Sequence, residues 1–90
     1  MDRREMIRDI NPQAHLWDDL DNCIIGITEE ACAVYDIHKM EKTLMELNDW
    51  DIETAAEYVE YNILQAYIGE FTPIHVWTMP DGTEFEKVTI

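Results

Sequence analysis

The sequence predicts an α+β domain: a small antiparallel sheet made of two hairpins, with an antiparallel helix pair and a short N-terminal helix packed on it. Three observations lead there. Two β-rich runs, CIIGIT (23–28) and ACAVY (31–35), are separated by a short polar turn. Two amphipathic segments follow, each opened by an aspartate suited to an N-cap. A last β-rich run, IHVWTM (74–79), precedes Pro80-Asp81-Gly82, in which each residue has its own reason to turn.

Taken in order, residues 1–12 form an N-terminal arm, helical or frayed, in which Arg3, Arg4 and Arg8 alternate with Asp2, Glu5 and Asp9. The core spans 13–76, and 77–90 is a C-terminal hairpin extension of the same single domain. PQAHLWDDLD (12–21) places Leu16, Trp17 and Leu20 at helical spacing behind a proline fit for a first turn, which predicts a short helix. Gly26 inside the first β-rich run marks a bulge or a close backbone approach. Asp36 caps a helix over about 37–48, with Ile37, Met40, Leu44 and Leu47 on its core face. Asp51 caps a second, over about 52–68, which ends at Gly69 and buries Ile52, Ala55, Ala56, Val59, Ile63 and Ala66. TEFEKVTI (83–90) returns as the second arm of the last hairpin.

Ninety residues support one small core, and a chain of that size buries only about 60 to 65% of its unfolded surface. A deep catalytic cleft is difficult to build at this scale, so surface chemistry is favoured. Twenty Asp and Glu against six Lys and Arg give a formal charge of −14, which argues against direct contact with nucleic acid or an anionic membrane. Neither a signal-peptide core nor a membrane-length apolar run is present, and the two cysteines lack the density of a disulfide scaffold. A cytoplasmic protein with reduced thiols is expected, in a host cytoplasm if the chain is phage-encoded.

Charge is also segregated. Between positions 43 and 86 there are ten acidic residues and neither Lys nor Arg. On the second helix Glu53, Glu57 and Glu60 recur at three- and four-residue spacing, with Asp49 and Asp51 near its start. Such a stripe is either an ordinary solvated face or a docking surface for a basic protein. Tyr58 and Tyr61 lie off the core stripe, where they either pack under the sheet or anchor an interface. Asp49, Asp51, Glu53, Glu57, Tyr58, Glu60, Tyr61 and Glu70 are therefore the candidate partner-binding residues.

Catalytic and metal chemistry find little support. Cys23, Cys32, His15, His38 and His75 have no ligand-loop spacing, although Cys23 and Cys32 become cross-strand neighbours in some registers of the first hairpin. Paired carboxylates such as Asp18-Asp19 have no pocket signal beside them, and the three glycines stand alone rather than forming a phosphate loop. No catalytic residue, metal or cofactor is assigned.

AVYD (33–36), the Glu60-Tyr61-Asn62 triplet and Gly69-Glu70 with Thr72-Pro73 together resemble a family of short uncharacterised proteins encoded by bacteriophages and bacterial genomes. The resemblance covers about residues 19–76. It implies a phage or mobile-element origin and transfers no catalytic residue. Structural roles also account for much of this pattern, since Asp36 caps, Gly69 terminates and Pro73 starts a strand. The expected function is a non-catalytic acidic binding module, in its concrete form an anti-defence, anti-CRISPR-like inhibitor occupying a basic nucleic-acid-binding site on a host protein. The alternatives are a homo-oligomeric structural or regulatory protein and, less favoured, a small zinc protein or hydrolase.

Overall fold

β-strand pairing organises the domain around Tyr35, which is completely buried at the centre of the core. The computed structural model describes residues 2–66, 68–78, 84 and 85. Its elements are α1 (Arg3–Ile10), β1 (Ile24–Ile27), β2 (Ala33–Asp36), α2 (Ile37–Asn48), α3 (Ile52–Tyr58), a π-helical continuation (Val59–Leu64), β3 (Ile74–Thr78) and β4 (Glu84–Phe85). The fold is α+β, as expected.

The sheet runs β1-β2-β3-β4. β1 and β2 are antiparallel, with a register shift between Ile24 and Gly26 that places a bulge where the isolated glycine sits. β3 and β4 are also antiparallel. β2 and β3, however, are parallel, with Val34 opposite Ile74 and Asp36 opposite Val76. The sheet is therefore mixed, which corrects the expectation of an all-antiparallel one. The connection permits this: α2, α3, the π segment and the stretch up to residue 73 lie between these strands, and a crossover of that length, unlike a tight hairpin, allows the second strand to run parallel to the first. Met79, the predicted turn at 80–82 and all but residues 84 and 85 of the predicted last strand fall outside the described residues, as do Met1 and Tyr67.

The predicted caps form. Asp36 Oδ1 accepts from the His38 backbone N–H at 3.0 Å, and Asp51 Oδ1 accepts from that of Thr54 at 2.8 Å. Asp36 is itself 2% exposed, and its second oxygen accepts from the Thr78 hydroxyl at 3.1 Å, which ties β3 to the start of α2. Ile37, Met40 and Leu44 are buried, but Leu47 is 58% exposed; it sits in the last turn of α2 beside an open cleft. On the next helix Ala55, Val59 and Ile63 are buried, whereas Ile52, in the first turn, is 53% exposed.

Two further expectations are corrected. Residues 12–20 do not form a helix; the segment turns at 12–13 and 18–19 and reaches β1 through a 3-10 turn at Asp21–Cys23. Its backbone is committed elsewhere: the Trp17 N–H donates to Tyr35 Oη at 2.8 Å and the Trp17 carbonyl accepts from Arg4 at 3.0 Å. A helix this short has little intrinsic stability to set against such contacts. The second helix ends at Leu64 rather than 68, so Gly69 is not its terminator. Gly69 instead adopts φ +118 in a turn held by Thr72, whose hydroxyl donates to the Gly69 carbonyl at 2.6 Å and accepts from the Ile68 N–H at 2.9 Å. Cys23 and Cys32 are buried and free, and they lie at opposite ends of the β1-β2 hairpin, so the cross-strand arrangement that the sequence left open does not form.

Candidate functional site

The arginine arm is the first element to bear on the acidic surface, because it determines which carboxylates are neutralised. α1 buries Ile7 in the core and is fastened by its basic side chains. Arg4 Nε donates to both Asp21 oxygens at 3.0 and 2.9 Å, and Arg4 Nη2 lies 3.8 Å from Asp18. The hydrogen bond to Asp21 raises the Arg4 pKa above its ordinary value. Arg3 donates to the carbonyls of Asn22 and Ile24 at 3.0 and 2.8 Å. The arm therefore spends its charge near residues 18–24.

The acidic candidates lie elsewhere. Asp49, Asp51, Glu53, Glu57, Glu60 and Glu70 are all exposed, and among the described residues none forms an ion pair with a basic side chain. Asp49 terminates α2 in the left-handed region at φ 56. Asp51 has its carboxyl held below the usual range by the Thr54 N–H it caps. Glu53 and Glu57 follow on α3, and Glu60 lies in the first turn of the π-helical segment. The run of exposed acidic residues thus continues from α3 into the π-helical segment.

The aromatic candidates divide. Tyr61 is 67% exposed and makes no aromatic contact among the described residues, while Tyr58, at 40%, stacks obliquely on Trp50 with ring centroids 5.3 Å apart. Tyr58 and Trp50 also border a cleft of about 550 Å³. The loop before β1 contributes Trp17, Asp18 and Asp19 to it, the end of α2 contributes Leu47 and Asn48, and the π turn contributes Asn62. The π turn arises where Val59 follows α3, and the Asn62 amide donates to the Tyr58 carbonyl at 3.3 Å across it. Such turns recur at functional sites because they displace side chains from the regular helical phase. Asp19, on the cleft rim, holds φ 65, a conformation that costs most side chains about 1 kcal/mol and that Asp and Asn tolerate best.

Family models, curated proteins and solved structures offer no match to this chain.

Behind the cleft lies a cluster that the sequence does not signal. Trp17 Nε1 donates to His75 Nε2 at 3.0 Å, with the rings 6.0 Å apart and nearly parallel, and Tyr35 stands 6.2 Å on from His75. Burial holds His75 down to about 4 and pushes the Tyr35 phenol up to about 12, so both are neutral at pH 7. A neutral histidine accepting from an indole orients Trp17; it is not poised for proton transfer near neutral pH. Burial likewise pushes the Cys23 thiol up, away from the thiolate form that a nucleophile requires. Among the described residues no three His, Cys, Asp or Glu side chains converge to hold a metal, and no helix is long and apolar enough to cross a membrane.

Proposed function

We propose that this chain is a non-catalytic acidic binding module that docks on a basic surface of another protein, and that it is phage- or mobile-element-encoded and acts against a host nucleic-acid-binding protein as an anti-defence inhibitor. The reading rests on one observation: Asp49, Asp51, Glu53, Glu57 and Glu60 are exposed in succession along one connected segment, without basic partners among the described residues. Leaving five like charges this close costs the free protein a few tenths of a kcal/mol per neighbouring pair, about 0.3. A cationic partner removes that cost, and the field accelerates encounter. Exposed Tyr61 and half-exposed Tyr58 beside the stripe supply the apolar contact that charge alone lacks.

The test is capture of partners from a bacterial lysate by the wild-type chain and by Glu57→Lys/Glu60→Lys. A protein retained by wild type, lost with the charge-reversed chain, weakened by added salt and displaced by nucleic acid is the expected result. Capture indifferent to both salt and charge reversal overturns the reading.

A second reading, self-association, is favoured by β1. This strand ends the sheet, and beside it a cleft of about 350 Å³ is lined by Met6, Ile10, Ile25 and Ile27, with Gly26 open to solvent. Light scattering separates the two, since a monomer at high concentration defeats it.

A further inference from the structure

The cleft between the pre-β1 loop, α2 and the π turn has an unbalanced hydrogen-bonding inventory. The Trp17 indole N–H is committed to His75. The Asn48 amide donates to the Leu44 carbonyl at 3.1 Å and the Asn62 amide to that of Tyr58, so each presents its Oδ1 with no donor among the described residues. Asp19 has no basic partner among the described residues, and Asp18 is only loosely paired, at 3.8 Å from Arg4. The remaining donors are the Trp50 indole, the Tyr58 hydroxyl and the second amide N–H of Asn48 and of Asn62, against which stand both amide oxygens and the carboxylates of Asp18 and Asp19. Acceptors therefore exceed donors, and they are set around two indoles and a phenol whose π faces attract positive charge. Among the described residues no Lys or Arg lines this space.

One side-chain chemistry complements that inventory. A guanidinium is planar, always charged, rich in donors and without an acceptor, and it stacks on aromatic faces where an ammonium only points at them. The cleft, at about 550 Å³, has the size of a small-ligand pocket and takes such a side chain with its neighbouring backbone. We propose that it receives an arginine side chain presented by the basic partner. This rests on the acidic-module reading and sharpens it: the carboxylate stripe on α3 attracts, and the aromatic cleft selects arginine over lysine.

The experiment is a titration of ¹⁵N-labelled protein at low salt with a peptide of alternating arginine and glycine, and with its lysine counterpart. The expected result is movement of the Trp50 indole cross-peak and the Asn62 amide, with the arginine peptide binding at least about threefold tighter. Asp19→Asn, which suits the left-handed backbone, and Tyr58→Ala, at a half-exposed position, are each expected to weaken the arginine peptide about three- to tenfold. Equal binding of both peptides, with shifts confined to Glu53, Glu57 and Glu60 and no effect of either substitution, overturns the arginine site while leaving the acidic module standing. Failure of both peptides to bind overturns both.

Discussion

His75 shows how one side chain carries information that no local pattern holds. It sits on β3, yet its Nε2 accepts from an indole in the loop before β1, and burial holds its pKa near 4 against an ordinary 6.5. The folded protein resists protonation that the unfolded chain accepts. Its contribution to stability is therefore complete above pH 6.5 and is lost as pH falls from 6.5 towards 4, by about 2 to 3 kcal/mol for a shift of this size. Denaturant titrations between neutral and mildly acidic pH should show this loss in wild type. His75→Gln, which still offers Trp17 an acceptor, should lack that part of the slope. Identical slopes in the two proteins would remove His75 from the acid response. Nothing in the string IHVWT announces such a partner, because the contact joins positions 17 and 75 and exists only once the sheet has formed.

Capping aspartates are the opposite case, since their partners lie two or three residues away and the same local pattern that predicts them produces them. Asp36 adds a long-range bond to its local one, being held by the His38 N–H and the Thr78 hydroxyl together. Asp36→Ala should cost about 2 to 3 kcal/mol, the sum of a lost cap and a buried hydroxyl without its acceptor, and Asp36→Asn should recover most of it; thermal melts of the two variants measure the difference. Strand positions and both helix starts were legible for this local reason. The parallel pairing of β2 with β3 was not, because alternation fixes which face of a strand is buried and says nothing about which strand lies beside it. The helix expected over 12–21 failed for a related reason. Its spacing was helical, but Tyr35 and Arg4 compete for the backbone groups a helix would use. The end of the second helix was misplaced because a π turn leaves no mark that a count of apolar residues detects.

Charge acts on the molecule as a whole. A formal charge of −14 on 90 residues opposes compaction, and the arginine arm relieves it only near Asp18 and Asp21. Moderate salt should therefore raise the melting temperature, as followed by circular dichroism, because screening acts on repulsions over more than about 8 Å. A melting temperature indifferent to salt would mean that the carboxylates stand too far apart to repel one another. At this scale the acidic stripe was legible from residue order, whereas the cleft beside it was not, since Trp17, Trp50 and Asn62 come from segments that meet only in three dimensions. The parallel crossover has one more consequence, in time rather than space. A ribosome delivers β1, β2 and both central helices before residue 74, so the edge of β2 that β3 will cover waits unpaired while the helices, whose contacts are local, form first. Docking of β3 is thus a late step of assembly, and until it occurs the nascent chain depends on its own negative charge to keep neighbouring copies from annealing to that vacant edge.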